Sequence, residues 1–473
     1  MFELLWVLVV LALPTMAAAT WLLPAWPAAT SGRAAAILGY GYVLGILGTA
    51  ALLLALHRVT GTWQFGMTLG IVMLVGLAGA WVQRRRLLTE LAELGAMPNR
   101  VRQTWHGATP LIRAAALILL GLLLVRLGSQ FLEVIWRPVF AWDAWYHWTY
   151  RARVFFEAGH SDVFGHVQPW LRGEGPAYAT HFRHGPLVSI IQLWPALALG
   201  QWHESLINLP WFLLGIAIAL ALYGQLRQAG VAALPALFAA YLLVSVPTFG
   251  LHATLAGYAD LWMAAAVGLA SMSLFLWMRD DRRRQIVPFL LALAAVPFLK
   301  QSGPIFAALF LPALLLGWLR PRYALVVVLA ALAAGALVIL TVGLEFSVPG
   351  LGQVIISRDQ LVIPRSGELA FDPRWTFWAQ RLFIDASWHL FALVMLVALA
   401  AGILQATSCR AHRALLVLHL GILAVLFFVF TATEQGIYLE DGSGFGRNFL
   451  PLLPSLLFLV STFSIHSSRR TPE

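Results

Sequence analysis

Long apolar runs separated by short basic loops are the main pattern along the chain. A helix needs roughly 20 apolar residues to cross a bilayer, and about 13 runs approach that length. They lie at residues 3–26, 34–56, 63–83, 111–135, 205–226, 231–250, 254–278, 286–299, 303–319, 323–345, 388–407, 414–432 and 448–465. The pattern predicts an all-α integral membrane protein, a polytopic bundle of about 13 transmembrane helices whose external loops bear short interfacial helices.

Basic clusters predict the orientation of these helices, because positively charged loops face the cytoplasm. The clusters stand at residues 84–86, 279–284, 320–322, 410–413 and 469–470. Alternating spans place all of them inside, provided that segment 186–200, with only 15 residues, is a re-entrant or interfacial helix that does not cross. The C-terminus is then inside, and the external loops are 136–185, 345–388 and 433–447. Loops as long as the first two are uncommon unless they are functional.

Composition supports this class and excludes others. The chain is 60% apolar and only 11% charged, which is too little charge for the surface of a soluble protein of 473 residues. The net charge of +10 sits in short loops and does not indicate nucleic-acid binding. A single cysteine, Cys409, excludes an internal disulfide. Residues 1–26 lack a basic n-region and are predicted to be a retained helix.

Asp143 is the first candidate for chemistry. It stands in the first external loop among three tryptophans and a tyrosine, in the sequence Phe140-Ala-Trp-Asp-Ala-Trp-Tyr-His-Trp148. Aromatic neighbours would partly desolvate the carboxylate and make it a better general base. The alternative is an interfacial aromatic belt that includes an incidental acid. Glu157 and Asp162 follow on the same loop and are more simply explained as solvated charges.

Lys300 is the only lysine among the 31 basic residues of the chain. It falls between two apolar runs, in a stretch too long for one crossing, and a bend is predicted at Gly303-Pro304. Both arms are short, so the ammonium should lie below the external surface. A charge held there usually has an anionic partner or a function, and an anion site is favoured over snorkelling to the interface.

Three further external positions carry polar groups. Asp260 opens the seventh span, where an acid also suits the helix dipole, and Tyr258 precedes it as part of a possible cavity wall. Arg447 opens the last span externally, against the positive-inside trend, so it is either an anion-binding residue or a simple interfacial arginine. His181 and His184 end the first long loop, but no acid or cysteine completes a familiar metal-binding spacing.

The polar candidates share one predicted face of the membrane although they come from separate parts of the chain. They are Asp143, Arg183, His184, Tyr258, Asp260, Lys300 and Arg447. A transporter would instead place such groups near the midplane and often shows an internal repeat, which this sequence lacks. Arg126, inside the fourth apolar run, has no role in this interpretation.

Several segments together resemble the GT-C superfamily of glycosyltransferases, and most closely the bacterial relatives of protein O-mannosyltransferases and aminoarabinose transferases. They are Trp142-Asp-Ala-Trp145 with Trp148 and Arg151 to Arg153, His184-Gly-Pro-Leu187, Gly257-Tyr-Ala-Asp260, Lys300-Gln-Ser-Gly303 and Arg447 to Pro451. The likeness runs from about Val134 to Pro454. The sequence departs from the family pattern at Ser302, where an acid is usual, and at Phe182 and Arg183, near which an acid is often found.

The resemblance implies a division into added N-terminal helices with a cytoplasmic loop, 1–110, and a catalytic module, 111–473. It implies transfer of a sugar from a polyprenyl-phosphate donor to a lipid, glycan or protein acceptor on the external face, with inversion. Asp143 would be the base, and Lys300 and Arg447 would bind the donor phosphate, so that no metal or other cofactor is required. Substrate-binding candidates are Trp142, Trp145, His147, Arg183, His184, Tyr258, Asp260 and Gln301.

The expected location is the inner membrane of a bacterium, with the site on the periplasmic side and membrane lipids, but not nucleic acid, as partners. The loop 345–388 could close over the site as a lid. Two alternatives stay open. One is a flippase or transporter of a lipid-linked glycan. The other is an O-antigen ligase or polymerase, which would use an oligosaccharide diphosphate donor.

Overall fold

The structure, a computed structural model, consists almost entirely of helices. It describes residues 2–28, 30–165, 167–174, 184–341, 344–348, 352–356, 361–362, 374–385, 387–388 and 390–467. The first α-helices are α1 (Phe2–Leu22), α2 (Arg33–Thr60), α3 (Phe65–Val82), α4 (Arg84–Gly107), α5 (Pro110–Trp136), α6 (Thr149–Ala158), α7 (Val167–Leu171), α8 (Leu187–Leu199), α9 (Leu209–Ala229) and α10 (Ala233–Ser245). The others are α11 (Pro247–Thr254), α12 (Asp260–Asp280), α13 (Ile286–Leu299), α14 (Gly303–Ala308), α15 (Phe310–Trp318), α16 (Pro321–Thr341), α17 (Trp375–Ala379), α18 (Phe391–Ala406), α19 (Arg410–Ala432), α20 (Ile437–Asp441) and α21 (Leu453–Ser467).

Seven of the described helices are long and apolar enough to cross a membrane, or eight if one bent pair counts as a single span. The seven are α1, α2, α3, α5, α9, α12 and α19, with residues 23–25 and 206–208 extending α1 and α9. The bent pair is α10 with α11, which meet at 66°. The helical class is therefore confirmed, and seven or eight of the predicted spans are helices long and apolar enough to cross a membrane. The other predicted spans fall on α13, α14 with α15, α16, α18 and α21.

The chain forms two compact units. Unit 1 comprises residues Met1–Ala307 and Leu450–Glu473, and unit 2 comprises Ala308–Phe449. Within unit 1, helices α1 and α2 pack on α8 and α9. The predicted division at residue 110 separates helices added to a shared module from the module itself, which packing does not test, so it stays a prediction.

Helix α12 forms the centre of unit 1. Of its most apolar stretch, 94% is buried, and it packs against α9, α13 and α21. Small residues along it, such as Ala264, Ala265 and Ser271, let the neighbouring helices approach closely. A helix that is apolar on all sides belongs inside a bundle. Its first residue, Asp260, therefore reaches one end of the unit from a rigid and central element.

Predicted external loops of unit 1 meet at one end, which we call the site end. It comprises residues 57–63, 136–162, 184–186, 257–260 and 299–303. Contacts across it include the hydrogen bond of 2.7 Å between His57 Nε2 and Ser161 Oγ, and stacking of His57 on Trp63 with ring centroids 3.9 Å apart. The 28-residue helix α2, about 42 Å long, separates this end from its own N-terminus.

Predicted cytoplasmic loops meet at that opposite end of unit 1, which we call the basic end. It comprises residues 23–33, 83–110, 224–233 and 279–286. Gln228 links two of its loops, donating to Thr30 Oγ1 over 2.7 Å and accepting from Arg282 over 3.1 Å. Arg33, the first residue of α2, pairs with Glu90 of α4. The structure thus groups the loops of unit 1 as the sequence predicted, and which end faces outward stays a prediction.

The segment predicted not to cross the membrane forms α8. Its 13 residues make a helix of about 20 Å, shorter than the hydrocarbon core of a bilayer. Ten consecutive residues, Leu187 to Ala196, are buried. An interfacial helix would expose one face, so of the two predicted alternatives this burial favours a re-entrant helix inside the bundle.

Arg126, which had no role in the sequence, stabilises the break between α10 and α11. The break falls at Val246-Pro247, where the proline supplies no backbone N–H to continue the helix. The Arg126 Nε donates to the carbonyl of Val244 over 3.1 Å. A buried backbone carbonyl left without a donor is costly, so an internal donor from α5 explains how the bend is tolerated.

Unit 2 contains helices α15 to α20 and a small antiparallel sheet. The strands β1 (Leu344–Val348), β2 (Gly352–Ile356) and β3 (Leu361–Val362) pair in that order, with Phe346 opposite Val354. The sheet lies within the loop 345–388, for which only short helices had been predicted. Arg413, in a cluster predicted to be cytoplasmic, donates to three carbonyls at the end of α15: Leu316, Gly317 and Leu319.

Candidate active site

A buried ion pair joins Asp260 and Lys300 at the site end. The Lys300 Nζ donates to Asp260 Oδ1 over 2.5 Å, and the two side chains are 19% and 5% exposed. Helices α12 and α13 pack side by side, so the start of the first lies near the end of the second. The sequence predicted an anionic partner or a function for this lysine, and the structure supplies Asp260 as the partner. A pair this buried interacts in a low dielectric and strongly.

The backbone break at Lys300 holds its side chain in place. Helix α13 ends at Leu299, and Lys300 adopts an extended conformation before α14 begins at Gly303. A side chain at Gly303 would place its Cβ only 2.1 Å from the carbonyl oxygen of Val296. The close return of the chain therefore requires glycine here. The predicted bend is present, and it falls just before Gly303.

Asp143 precedes a single turn of π-helix, Ala144–Trp148. Its side chain does not cap that turn, and the residue is half-buried. Its backbone N–H donates to the Tyr258 hydroxyl over 3.3 Å, and the Tyr258 carbonyl accepts from Trp211 Nε1 over 2.7 Å. Isolated π turns are rare and occur frequently at functional sites. Helix capping therefore does not explain the Asp143 carboxylate.

Gly257 brings the Asp260 motif against the Asp143 motif. Its φ of +98° lies in the left-handed region, and a Cβ would stand 2.6 Å from both Ala144 Cβ and Thr149 Oγ1. Only glycine combines this conformation with so close an approach. The tight fit explains why Tyr258, the next residue, reaches the backbone of Asp143.

Gly257→Ala should lower the stability of unit 1. The left-handed conformation and the clash with Ala144 should together cost about 1–3 kcal/mol. Thermal unfolding of the purified protein measures this as a lower midpoint. Gly121→Ala is the matched control, since nothing lies within 4 Å of a Cβ at that helical position. An unchanged midpoint for Gly257→Ala would show that the two motifs do not pack as described.

His184 links the first external loop to the Lys300 break. Its Nδ1 accepts from the backbone N–H of Gln301 over 3.3 Å, and its carbonyl accepts from the Arg151 guanidinium over 2.7 Å. Accepting at Nδ1 places the proton of a neutral ring on Nε2. Arg151 was only part of a motif in the sequence. It is 4% exposed, and burial lowers its pKa to about 10, so it stays a cation at neutral pH.

Two groups of aromatic rings lie near these contacts, one buried and one exposed. His147 is 3% exposed, and its ring centroid lies 5.3 Å from that of His184. Trp142 is 67% exposed and stacks on Tyr146, with centroids 5.8 Å apart and planes at 17° to each other. Trp145, 59% exposed, stands 5.8 Å from Trp142. An exposed ring platform next to a carboxylate suits the apolar face of a sugar.

A buried polar chain supports the motifs from behind, and the sequence analysis missed it. Thr149 Oγ1 donates to Gln192 Oε1 over 2.8 Å, and Gln192 Nε2 donates to Asn208 Oδ1 over 3.0 Å. Ser189 Oγ donates to the Trp148 carbonyl over 2.8 Å. The only signal was the presence of Ser189 and Gln192 in an otherwise apolar short segment. Such satisfied buried networks fix one arrangement of the helices.

The remaining candidates are not among the residues joined by these contacts. Arg183 and His181 fall outside the described residues. Arg447 belongs to unit 2, where it is half-buried. Glu157 accepts from Arg153 over 2.8 Å one helical turn away, and Asp162 accepts from Ser161 over 3.2 Å, which fits solvated loop charges. Within the described part of the chain, no three His, Cys, Asp or Glu side chains cluster closely enough to hold a metal ion.

Four hydrogen bonds link the motifs of unit 1. They join Asp143 to Tyr258, Asp260 to Lys300, Gln301 to His184, and His184 to Arg151, and the backbone within each segment connects one bond to the next. Together these residues present a half-buried carboxylate, a half-buried lysine with its buried counter-ion and an exposed aromatic platform at the same end of the unit. Comparison of the chain with family models, with curated proteins and with solved structures gives no match in any of the three.

Proposed function

We propose that the protein is a membrane glycosyltransferase that moves a sugar from a polyprenyl-phosphate donor to a lipid, glycan or protein acceptor. The observation that supports this most is the set of hydrogen bonds at the site end. They join four segments that are far apart in the sequence, and these are four of the five segments on which the resemblance rests. Chemistry-bearing side chains from separate elements that converge at one place are typical of an active site.

In the proposed reaction, Asp143 accepts the proton of an acceptor hydroxyl. The hydroxyl oxygen forms a bond to the anomeric carbon of the donor sugar, while the bond from that carbon to the phosphate oxygen breaks. The electron pair of the broken bond leaves with the polyprenyl phosphate, and the configuration at the anomeric carbon is inverted. The proton is held on Asp143 until it is released to solvent.

Lys300 would stabilise the negative charge that develops on the leaving phosphate. An ammonium in a partly desolvated place is worth more than one in water, because the local dielectric is low. Its ion pair with Asp260 holds the ammonium below the surface and supplies a counter-charge while no donor is bound. Tyr258 and His184 would line the cavity for sugar or acceptor, and the platform of Trp142 and Trp145 would hold a sugar ring. Arg447 as a second phosphate ligand stays a prediction.

The proposal includes 13 membrane spans, with the site end periplasmic and the basic end cytoplasmic. It follows from the arginine clusters and from the grouping of loops in unit 1. We expect fusions in the loop after α5, and in the loop between α20 and α21, to activate a reporter that works only outside the cytoplasm. A fusion after α21 should activate a reporter that works only in the cytoplasm. A cytoplasmic result for the first loop would exclude a periplasmic site.

The direct test uses purified protein in detergent with a polyprenyl-phosphate-linked sugar and an envelope lipid or glycan fraction. Transfer of labelled sugar to the fraction, with release of polyprenyl phosphate, is the expected result. Movement of the donor across proteoliposomes without any transfer would instead indicate a flippase. Transfer only from an oligosaccharide diphosphate donor would indicate an O-antigen ligase or polymerase.

A further inference from the structure

Helix α4, which plays no part in the proposed reaction, is amphipathic and carries uncovered apolar side chains. Its apolar residues recur every three or four positions, as on one face of a helix. On this face, Leu91 and Val101 are 63% and 56% exposed within the described structure, and Leu88 at its edge is 66% exposed. Five arginines and two glutamates lie along the same helix. A helix with these properties, rich in arginine and only moderately apolar, is typical of one that lies in a membrane interface.

Both ends of α4 lie at the basic end of unit 1. It follows α3 after one residue, and the last turns of α3 lie beside α1, where Trp21 Nε1 donates to the Val75 carbonyl over 3.0 Å. Helix α5 follows α4 closely, and the contact between Arg126 and Val244 fixes its height. The start of α5 is 16 residues earlier, about 24 Å away, and the start of α10 is 11 residues before Val244, about 17 Å away, so both helices begin toward the basic end.

A 24-residue helix is about 36 Å long, so it can have both ends at one level only if it runs along that end of the unit. The Arg33–Glu90 pair holds it there, against the first turn of α2. Trp81, just before α4, is 71% exposed, and the Arg84 guanidinium lies 4.9 Å from its ring centre. Exposed tryptophan with arginine beside it marks the headgroup level of a membrane.

We propose that α4 binds the surface of an anionic phospholipid leaflet. Its apolar face enters the boundary between headgroups and acyl chains, and its arginines contact lipid phosphates. Charge favours this occupant over a second copy of the chain, because two copies of so basic a surface would repel each other. Glu93 pairs with Arg100 over 2.7 Å and Glu90 with Arg33, so the acids are already engaged within the protein.

Site-directed spin labelling of the full chain tests this proposal. Cys409→Ser removes the only cysteine, at the N-cap of α19, where serine is favourable. In that background, Leu91→Cys labels the apolar face and Gln103→Cys the polar face. The protein is placed in nanodiscs of phosphatidylcholine, with or without phosphatidylglycerol. Collision with oxygen reports immersion in lipid, and collision with a water-soluble nickel complex reports exposure to water.

The label at position 91 should collide mainly with oxygen, and the label at position 103 mainly with the nickel complex. Phosphatidylglycerol should increase the immersion depth of the label at position 91. The double variant Arg85→Gln with Arg102→Gln should lower the affinity of α4 for the anionic surface by about fivefold per arginine. More phosphatidylglycerol should then be needed to immerse the label at position 91. Nickel access at both positions would overturn the proposal. Protection of position 91 from both reagents would show a protein partner instead, and independence from phosphatidylglycerol would exclude anionic lipid as the ligand.

Discussion

Replacing Asp143 by Asn is expected to lower the rate of sugar transfer by about 10²–10⁴-fold, the usual contribution of a general base. Asn keeps the size of the side chain and can still form hydrogen bonds, but its amide cannot take up the acceptor proton. The contact that Asp143 makes with Tyr258 uses the backbone N–H. The substitution should therefore leave that contact, the π turn and the fold intact.

The measurement is transfer of labelled sugar at saturating donor, together with the thermal unfolding midpoint of each variant. Asp162→Asn is the matched control, because it makes the same chemical change on the same loop, at a carboxylate that accepts from Ser161. It should transfer normally. Near-normal transfer by Asp143→Asn, with loss of transfer by Asp162→Asn, would show that the base is Asp162 and not Asp143.

Replacing Lys300 by Met should lower transfer by about 30- to 1000-fold, equivalent to about 2–4 kcal/mol of lost stabilisation of the leaving phosphate. It should also destabilise the protein. Asp260 is only 4% exposed and would lose the counter-charge that stands 2.5 Å away. Removing one partner of a buried ion pair costs about 3–5 kcal/mol. A low rate from this variant alone would therefore be ambiguous.

The double variant Lys300→Met with Asp260→Asn separates the two effects. It removes both charges, so the unfolding midpoint should return close to that of the wild type. Transfer should stay low if the ammonium contacts the donor phosphate. Recovery of transfer together with stability would show that Lys300 serves only the fold. Lys300→Arg keeps the charge but changes its shape, so it should fold normally and use the donor poorly.

The helices and the grouping of loops could be predicted because both follow from local composition. Apolar length predicts a span, and arginine clusters predict which ends lie together. Lys300 could be singled out because a lone lysine between apolar runs is costly to bury. The bend beside it follows from Gly303-Pro304, where the chain folds back on Val296. None of these predictions depends on which helices are neighbours in the bundle.

Partners across the bundle could not be predicted, because they depend on packing between distant segments. The residues of the Asp260–Lys300 pair are 40 positions apart, and the sequence alone explained Asp260 equally well by the helix dipole. Gln192 bonds to Thr149 and Asn208, and Asn208 also donates to the Glu204 carbonyl, so no single position indicated the network. The sheet of β1 to β3 joins segments too short to carry a strong periodic signal.

In the proposed membrane topology, the bend between α10 and α11 has a consequence for how the chain enters the membrane during synthesis. A span that is broken midway shows open carbonyls to lipid, and such a segment should partition poorly when it emerges alone. Arg126, which bonds Val244, stands 118 residues earlier in the chain. Since the N-terminal part of a protein is made and folds first, α5 is already in place when the broken span leaves the ribosome. The order of synthesis thus lets the bent segment insert directly against its hydrogen-bond donor, and an Arg126→Leu chain should stall or insert incompletely at that step.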